Sequence, residues 1–173
     1  MGDGRLEVRA VRDGELPEVA RVRVASWRAG YAGLVPDPEL AAIGEPDRLD
    51  QWVERMAASA ETSMLVAVVD DEVVGFSAYG AERSDLAPAV AGRGEVYALY
   101  VHPDHWGAGA GHALLTASRE ALRGRAFDAV SIWVLEGNER GIAFYLRQGF
   151  APTGEATESH VDALPEARYA RPV

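Results

Sequence analysis

Cysteine is absent from this chain of 173 residues. Its absence excludes disulfide bonds, thiolate nucleophiles and cysteine-ligated zinc sites. A long apolar run is also missing, so the sequence predicts neither a leader peptide nor a membrane-spanning helix. A cytoplasmic location is therefore expected, although the lack of cysteine does not by itself prove a reducing compartment.

Positive charge is scarce: 17 basic residues stand against 27 acidic ones, for a net charge of −10. Nucleic acids and anionic membranes attract cationic faces, so neither is expected as a partner. An acidic surface suits a cationic amine substrate, but it equally serves solubility alone.

The composition predicts a globular chain, because 48% of its residues are hydrophobic and glycine and proline do not dominate. At this length one ordinary core accounts for the whole chain, so a single domain over residues 1–173 is expected. The helix predicted at 37–58 is expected to break near residues 44–46, and Gly124 is expected to end the helix predicted at 109–123. Residues 83–94 are expected to form a loop. Apolar spacing predicts strands at 6–11, 64–69, 73–79, 96–101, 129–135, 151–158 and 167–171, and helices at 15–28, 37–58, 109–123 and 138–149.

The most informative stretch begins at residue 96. A strand at Val96–Val101 leads through His-Pro-Asp-His-Trp into the run Gly107-Ala-Gly-Ala-Gly111, which opens a helix. The start of a helix exposes backbone N–H donors and the positive end of the helix dipole. Glycine lets those amides approach an anion without side-chain interference. The stretch therefore predicts a phosphate-binding loop.

Two common phosphate motifs do not match this loop. A Walker loop ends in Gly-Lys-Ser/Thr, but neither lysine nor a hydroxyl residue directly follows Gly111. The dinucleotide fingerprint places its third glycine three residues after the second, whereas the spacing here is Gly-x-Gly-x-Gly. The loop also lies past the middle of the chain instead of near the start of a βαβ unit. A nucleotide binder of either kind is therefore not favoured.

A second block decides between the remaining interpretations. An apolar run at 131–135 is followed by Glu-Gly-Asn138, and a helical segment then ends in Phe-Tyr145-Leu-Arg-Gln-Gly149-Phe. With the first block it resembles the GCN5-related N-acetyltransferase (GNAT) family over residues 95–150. The first block is similar to that family's coenzyme-A pyrophosphate motif, Gln/Arg-x-x-Gly-x-Gly/Ala, and the second to its strand–Asn–helix motif. Trp106 departs from the pattern, because it stands where the family has Gln or Arg.

The resemblance implies an α/β fold in which a mixed, mostly antiparallel sheet is flanked by about four helices. It implies an enzyme that uses acetyl-coenzyme A as co-substrate and needs no metal. The acetyl group would pass by direct attack to a primary amine of a small molecule or peptide. The absence of cysteine agrees, since it removes the commonest acyl-carrying nucleophile. A catalytically silent coenzyme-A-binding sensor is the alternative, and the acceptor and the oligomeric state, a homodimer included, stay open.

The coenzyme-binding residues also follow from the resemblance. In the family, strands corresponding to 96–101 and 130–135 diverge, and the pantetheine arm lies between them like an additional strand. Asn138 would contact pantetheine, although capping the next helix accounts for an asparagine there equally well. The thioester would lie against the backbone of Leu99, Tyr100 and Val101, where one N–H would stabilise the developing oxyanion. Amides for the pyrophosphate would come from Gly107, Ala108, Gly109, Ala110, Gly111 and His112.

Two residues are the candidates for proton transfer. Tyr145 matches the family's general acid, which protonates the departing thiolate; the alternative is a core tyrosine whose hydroxyl bonds locally. Glu95, at the start of the strand, matches a position where many members carry a carboxylate that acts directly or through water. The alternative for Glu95 is a solvated strand-end side chain, and His102 and His160 are further candidate bases.

The histidines near the glycine-rich loop do not predict a metal site. His102 and His105 flank a proline turn instead of sharing one helix face, and no carboxylate is spaced convincingly to join them and His112. The aromatic residues of the amino-terminal helices are expected mostly to pack, with one or two lining the acceptor pocket: Trp27, Tyr31 and Trp52.

Overall fold

The computed structural model describes residues 5–83, 89–159 and 163–173. Within them the chain forms seven β-strands and five α-helices. Their order is β1 (Glu7–Ala10), α1 (Leu16–Gly30), α2 (Asp37–Ala42), α3 (Pro46–Ala58), β2 (Ser63–Val69), β3 (Glu72–Ala81), β4 (Arg93–Val101), α4 (Ala110–Gly124), β5 (Ala129–Leu135), α5 (Glu139–Arg147), β6 (Ala151–Glu158) and β7 (Pro165–Pro172). A short 3-10 helix, Pro103–His105, precedes α4.

A single sheet organises these elements in the strand order β1-β2-β3-β4-β5-β7-β6. Neighbouring strands in it run antiparallel except β4 and β5, which are parallel and are connected through α4. A parallel pair needs such a crossover, because the chain must return to the same end of the sheet. The mixed, mostly antiparallel sheet expected from the sequence is confirmed.

Helices cover both faces of the sheet. Successive side chains of a strand point to opposite faces, and β2 shows the result: Val66 packs with α1 and α3, whereas Ala67 packs with α4. On the first face Trp52 of α3 lies against Phe76 of β3, with 5.9 Å between the ring centroids. On the second face α5 joins α4 in the core through Tyr145.

The structure differs from the predicted boundaries at a few places. The expected break in the second helix is confirmed, because α2 ends at Ala42 and α3 begins at Pro46. Gly124 does not stop α4 but is its last residue, and the chain turns two residues later at Ala126, whose φ is +64°. Of the predicted 83–94 loop, residues 84–88 lie outside the described part of the chain, and Arg93 and Gly94 belong to β4.

The parallel pairing of β4 with β5 is short. It joins Arg93 to Ala129, Gly94 to Val130 and Glu95 to Ser131, and it extends no further along either strand. None of the six remaining residues of β4, from 96 to 101, has a partner in β5; five of them stay paired with β3, and Tyr97 lies at a β-bulge. The two strands therefore diverge beyond Glu95 and leave a cleft in the sheet.

A buried ion-pair network stands where the strands begin to diverge. Its centre is Glu82, directly after β3, whose side chain is 1% exposed. The Glu82 carboxylate lies 2.7 Å from Arg93 of β4 and 2.8 Å from Arg168 of β7. It also accepts a hydrogen bond of 3.0 Å from the Ser131 hydroxyl of β5. One side chain thus joins the strands on both sides of the cleft.

We predict that Glu82→Gln destabilises the protein, because among the described residues Arg93 and Arg168 then keep only the partly exposed Glu155 as a counter-charge. Breaking a buried pair costs about 3 kcal/mol or more in the free energy of unfolding. Glu72→Gln is the matched control, since it breaks the exposed Arg21–Glu72 pair of 3.0 Å and should cost less than about 1 kcal/mol. Urea unfolding measures both. Equal losses would contradict the role given to Glu82.

Candidate active site

The divergence of β4 and β5 opens a cleft of about 400 Å³. Its walls come from β4, β5, the loop before α4 and the first turns of α5, with the end of α1 at one side. Nine of the sequence-predicted residues line it: Leu99, Tyr100, Val101, Gly107, Gly109, Gly111, His112, Asn138 and Tyr145. The structure therefore brings together residues separated by up to 46 positions along the chain (145 − 99).

Three predicted residues do not line this cleft: Glu95, Ala108 and Ala110. Ala110 is 2% exposed and packs in the core below the helix start. The amide of Ala108 donates to the His105 carbonyl at 3.4 Å, within the preceding turn. The glycine-rich loop therefore presents fewer groups to the cleft than the sequence motif suggests.

Glycine is required in this loop by the backbone. Gly107 and Gly109 have φ values of +81° and +92°, and a Cβ at either position would meet nothing within 4 Å. The space is open, so the left-handed backbone is the constraint. The first backbone bond at the start of α4 runs from the Ala113 amide to the Gly109 carbonyl. The amides of Gly111 and His112 therefore have no partner inside the helix and lie at the cleft.

Trp106 connects this loop to the end of β4. Its indole N–H donates to the Val101 carbonyl at 2.7 Å. The guanidinium of Arg140, in the first turn of α5, lies 3.4 Å from the centroid of the Trp106 ring. Both side chains line the cleft, and Arg140 has no ion pair among the described residues. A cation thus lies beside the position where the family motif has Gln or Arg.

Sequence reasoning missed Arg140, because nothing in the local pattern distinguishes it from an ordinary helix arginine. The missing Gln or Arg at position 106 was the available signal that pointed to a cation from another element. Further cleft-lining residues that the sequence did not predict come from α1, β5 and α5: Ser26, Trp133, Gly141, Phe144 and Arg147.

Strand alternation decides which backbone groups of β4 face the cleft. The amide of His102 donates to the Val74 carbonyl, so the even-numbered residue Tyr100 directs its backbone groups toward β3. Leu99 and Val101 direct theirs toward β5, which has moved away. The Val101 carbonyl is already used by Trp106 and by the Ser26 hydroxyl, which donates at 2.7 Å. The free groups are therefore those of Leu99 and the amide of Val101.

Asn138 caps α5, as the sequence predicts. Its side-chain oxygen accepts a hydrogen bond of 3.0 Å from the Gly141 amide. A Cβ at Gly141 would approach the Asn138 side chain to 2.5 Å, so glycine at that position makes room for the cap. Asn138 also lines the cleft, which leaves both functions considered for it compatible with its position.

The Tyr145 ring belongs to the core, but its hydroxyl does not bond locally. The residue is 7% exposed and packs edge-on against Phe144 and Phe150. Its hydroxyl has no hydrogen-bond partner among the residues that the structure describes, and the residue lines the cleft. Burial raises the pKa of Tyr145 well above its ordinary value, so it keeps its proton. The hydroxyl is therefore a proton donor without an acceptor in the described part of the chain.

Glu95 is buried, so its interpretation as a solvated strand-end side chain is wrong. The residue is 1% exposed and is the last of β4 to pair with β5, at the closed end of the cleft. Its carboxylate accepts hydrogen bonds from the amide of Arg83 at 3.1 Å and from its guanidinium at 3.0 Å. Burial raises the pKa of Glu95, and Arg83 opposes that rise.

The other candidates lie elsewhere. His102 is outside the cleft lining, with its ring nitrogen 3.6 Å from the Asp104 carboxylate, and His160 lies outside the described residues. Tyr31 lines the cleft, and its hydroxyl lies 3.5 Å from that of Tyr100. Across residues 5–83, 89–159 and 163–173 no group of three or more His, Cys, Asp or Glu side chains could hold a metal ion.

Comparison with known proteins identifies the family of this chain. The model of the acetyltransferase (GNAT) family matches residues 25–150 of this chain. The chain belongs to the GNAT family. It is an acetyl-coenzyme-A-dependent acetyltransferase, and the family and enzyme class expected from the two sequence blocks are confirmed.

Two relatives illustrate the sequence similarity of this GNAT protein. An uncharacterised N-acetyltransferase of Bacillus subtilis (strain 168), YuaI, is 31% identical over 155 residues, which cover 88% of this chain and 83% of that protein. A mycothiol acetyltransferase of Rhodococcus jostii (strain RHA1) is 32% identical over 159 residues. That alignment covers 82% of this chain but 50% of the relative, so the chain spans about half the length of that enzyme.

A solved structure shows the same fold. The PaiA N-acetyltransferase of Thermoplasma acidophilum, crystallised with coenzyme A, superposes with a TM-score of 0.76. The superposition covers 98% of this chain and 99% of that one at 19% sequence identity. The α/β GNAT fold is therefore confirmed. Within the described residues, no helix combines the length and the apolar character needed to cross a membrane.

Proposed function

We propose that this GNAT protein, acting as one domain over residues 1–173, transfers acetyl from acetyl-coenzyme A to a primary amine by direct attack. One observation carries the proposal: a glycine-rich helix start and an unpartnered Tyr145 hydroxyl open into the same cleft between diverging strands. The first arrangement suits a phosphate group and the second suits a departing thiolate. A small molecule or a peptide would supply the amine.

The residues present fit the coenzyme's pyrophosphate. The amides of Gly111 and His112 are free at the positive end of the α4 dipole, and Gly107 and Gly109 leave open space in front of them. Ala108 and Ala110 shape the backbone of this loop without lining the cleft. Backbone donors form the binding site, so the replacement of the usual side chain by Trp106 does not remove it.

Arg140 supplies the cation that position 106 lacks. Its guanidinium is held against the Trp106 ring at 3.4 Å and has no acidic partner among the described residues. Burial alone lowers the pKa of Arg140, and it stays charged. A guanidinium fixed in this way is ready to pair with a phosphate oxygen.

The diverging strands hold the reacting end of the coenzyme. Backbone groups of Leu99 and the amide of Val101 have no partner in β5, so they bond to the pantetheine arm and thioester instead. The arm then lies against β4 like an added strand. Tyr100 forms the wall beside them through its side chain. Asn138 adds its amide from the opposite side, and an amide of β4 stabilises the oxyanion that develops on the carbonyl.

Tyr145 and Glu95 carry the proton transfers. The acceptor nitrogen forms a bond to the acetyl carbon while the bond from that carbon to sulfur breaks. Tyr145 gives its hydroxyl proton to the departing thiolate and regains a proton from the attacking nitrogen, which becomes the neutral amide. A primary amine is mostly protonated at neutral pH, since its ordinary pKa is about 10.4 when it resembles lysine. Glu95 accepts that proton through intervening water, because its carboxylate does not line the cleft.

The coenzyme site is tested by binding. We predict that acetyl-coenzyme A raises the melting temperature of the parent protein, because a ligand of the folded state stabilises it by mass action. Gly109→Glu should abolish the shift by placing bulk and negative charge in front of the helix start. Gly14→Glu is the matched control, since Gly14 has a φ of +87° and equally open surroundings. Both changes strain the backbone by about 1–2 kcal/mol, and only one removes the site.

Arg140→Gln is a second variant in the same titration. Losing one charge-assisted contact should weaken coenzyme affinity about tenfold without altering the fold. Coenzyme affinity that is unchanged in Gly109→Glu would contradict the assigned loop. Unchanged affinity in Arg140→Gln would contradict the role given to that arginine alone.

Tyr145→Phe should lower turnover by roughly 10²–10⁴-fold, since general acid catalysis contributes on that order, while coenzyme affinity stays nearly intact. Tyr79→Phe is the control, because Tyr79 is buried in the same core cluster but does not line the cleft. Thiol release at saturating substrates gives turnover, and calorimetry gives affinity. Turnover equal to the parent would show that Tyr145 is not the acid.

For Glu95 the test is a pH profile. Glu95→Gln should depress kcat/KM most at neutral pH, and the loss should shrink as rising pH deprotonates the acceptor amine. Arg83→Gln keeps the carboxylate but removes the neighbour that opposes the rise in the pKa of Glu95. Its acid limb should therefore move to higher pH. A profile lowered by a constant factor in Glu95→Gln would argue against a base.

The acceptor is found with a panel that covers polyamines, aminoglycosides, amino acids, peptide N-termini and protein lysines, with thiol release as the readout. The chain itself contains no lysine, so acetylated lysine in a protein substrate cannot come from the enzyme. Coenzyme binding without turnover on any member would favour the alternative function, a silent acetyl-coenzyme-A sensor.

A further inference from the structure

A second recess, of about 270 Å³, lies between α1 and α3. We call it the arginine recess, because three arginines contribute to its lining. They stand with two tryptophans and one glutamate: Arg23, Arg48, Arg55, Trp27, Trp52 and Glu39. None of these residues lines the cleft between β4 and β5. The recess is therefore separate from the proposed transfer site.

The charges in the arginine recess do not balance. Arg48 pairs with Glu39 at 3.1 Å. Arg23 and Arg55 have no hydrogen bond or ion pair among the residues that the structure describes. The recess therefore has two uncompensated positive charges, although the chain as a whole carries a net charge of −10.

Arg23 is held in place without a counter-charge. Its guanidinium lies 5.0 Å from the centroid of the Trp27 ring and 5.4 Å from that of Trp52. Such stacking fixes the plane of the guanidinium but leaves its N–H donors unused. Burial lowers the pKa of Arg23, and the like charge of Arg55 lowers it further. An anion between the two arginines would satisfy both.

We propose that the arginine recess binds the carboxylate or phosphate group of a small organic anion, between Arg23 and Arg55. Guanidinium groups match the oxygen spacing of both anions, and the recess is too small for much more than one such group with a short apolar body. The anion comes either from the acceptor itself, as its acidic group, or from a separate ligand.

One layer of aromatic side chains separates the recess from the cleft. Trp27 lines the recess and packs edge-on against Tyr31, with 5.0 Å between the ring centroids. Tyr31 lines the cleft. An acceptor whose amine lies in the cleft would need an acidic group several bonds away from that amine to reach the recess across this layer. That requirement rests on the proposed function, whereas anion binding in the recess does not.

The binding test uses inorganic phosphate and benzoate as probes, titrated by calorimetry at constant ionic strength. The protein is saturated with coenzyme A, so that the phosphate site at α4 is filled. Arg23→Met keeps an unbranched side chain between the tryptophans but removes the charge, and it should weaken binding at least about tenfold. Arg21→Gln, on the same helix but paired with Glu72 outside the recess, should leave affinity unchanged.

Arg55→Gln keeps the proposal testable if Arg23→Met fails to fold, because Arg55 is exposed and has no hydrogen bond or ion pair with another described residue. It should weaken both probes as well. If neither phosphate nor benzoate binds to the parent protein, the proposal is overturned. Equal affinity in the parent and in both recess variants would also overturn it.

Two amines that differ only in a distant carboxylate, heptylamine and 8-aminooctanoate, distinguish the two sources of the anion. A lower KM for 8-aminooctanoate that disappears in Arg23→Met would support the acceptor's own acidic group as the occupant. Equal KM values together with probe binding would support a separate anionic ligand. Failure of both amines to react would count against the proposed function alone, since the binding titration reads the recess independently.

Discussion

The cleft depends on the three residue pairs that join β4 to β5, because it opens where that pairing ends and the two strands diverge. Beyond Glu95 and Ser131 the two parallel strands separate, and β4 is left with backbone groups that no neighbouring strand satisfies. Buried Glu82 holds the joined end together through Arg93 and Arg168. A sheet edge inside a protein is normally paired or covered; here it is kept open, as the proposed binding of the coenzyme arm requires.

A single carbonyl organises the mouth of the cleft. The Val101 oxygen accepts hydrogen bonds from Ser26 of α1 and from the indole of Trp106. Trp106 in turn supports the Arg140 guanidinium of α5. The departure from the family motif therefore has a structural role: the tryptophan holds the glycine-rich loop against β4, and the guanidinium beside it comes from another helix. Trp106 departs from the motif in the sequence, but in the folded protein it supports the Arg140 guanidinium.

The positions of the charged groups divide the protein into different electrostatic regions. Glu82 and Glu95 are buried and pair with arginines. Arg140 lies in the cleft without an ion pair among the described residues, and Arg23 with Arg55 forms a cationic recess on the opposite side of the aromatic layer around Trp27. The net charge of the chain indicates none of this. An average over the sequence describes solubility, whereas binding depends on which few charges lack a partner locally.

The sequence by itself determined the elements and the motif residues, because these depend on neighbours a few positions away. Alternating apolar residues predicted the strands, the glycine spacing predicted the loop before α4, and Asn138 predicted the cap of α5. Only the tertiary structure decided that β4 begins at Arg93, that Glu95 is buried against Arg83, that Trp106 supports Arg140, and that three arginines share one recess. Each of these rests on contacts between residues on different elements. No periodicity within one segment records such contacts, since packing brings the partners together only after the sheet and helices assemble.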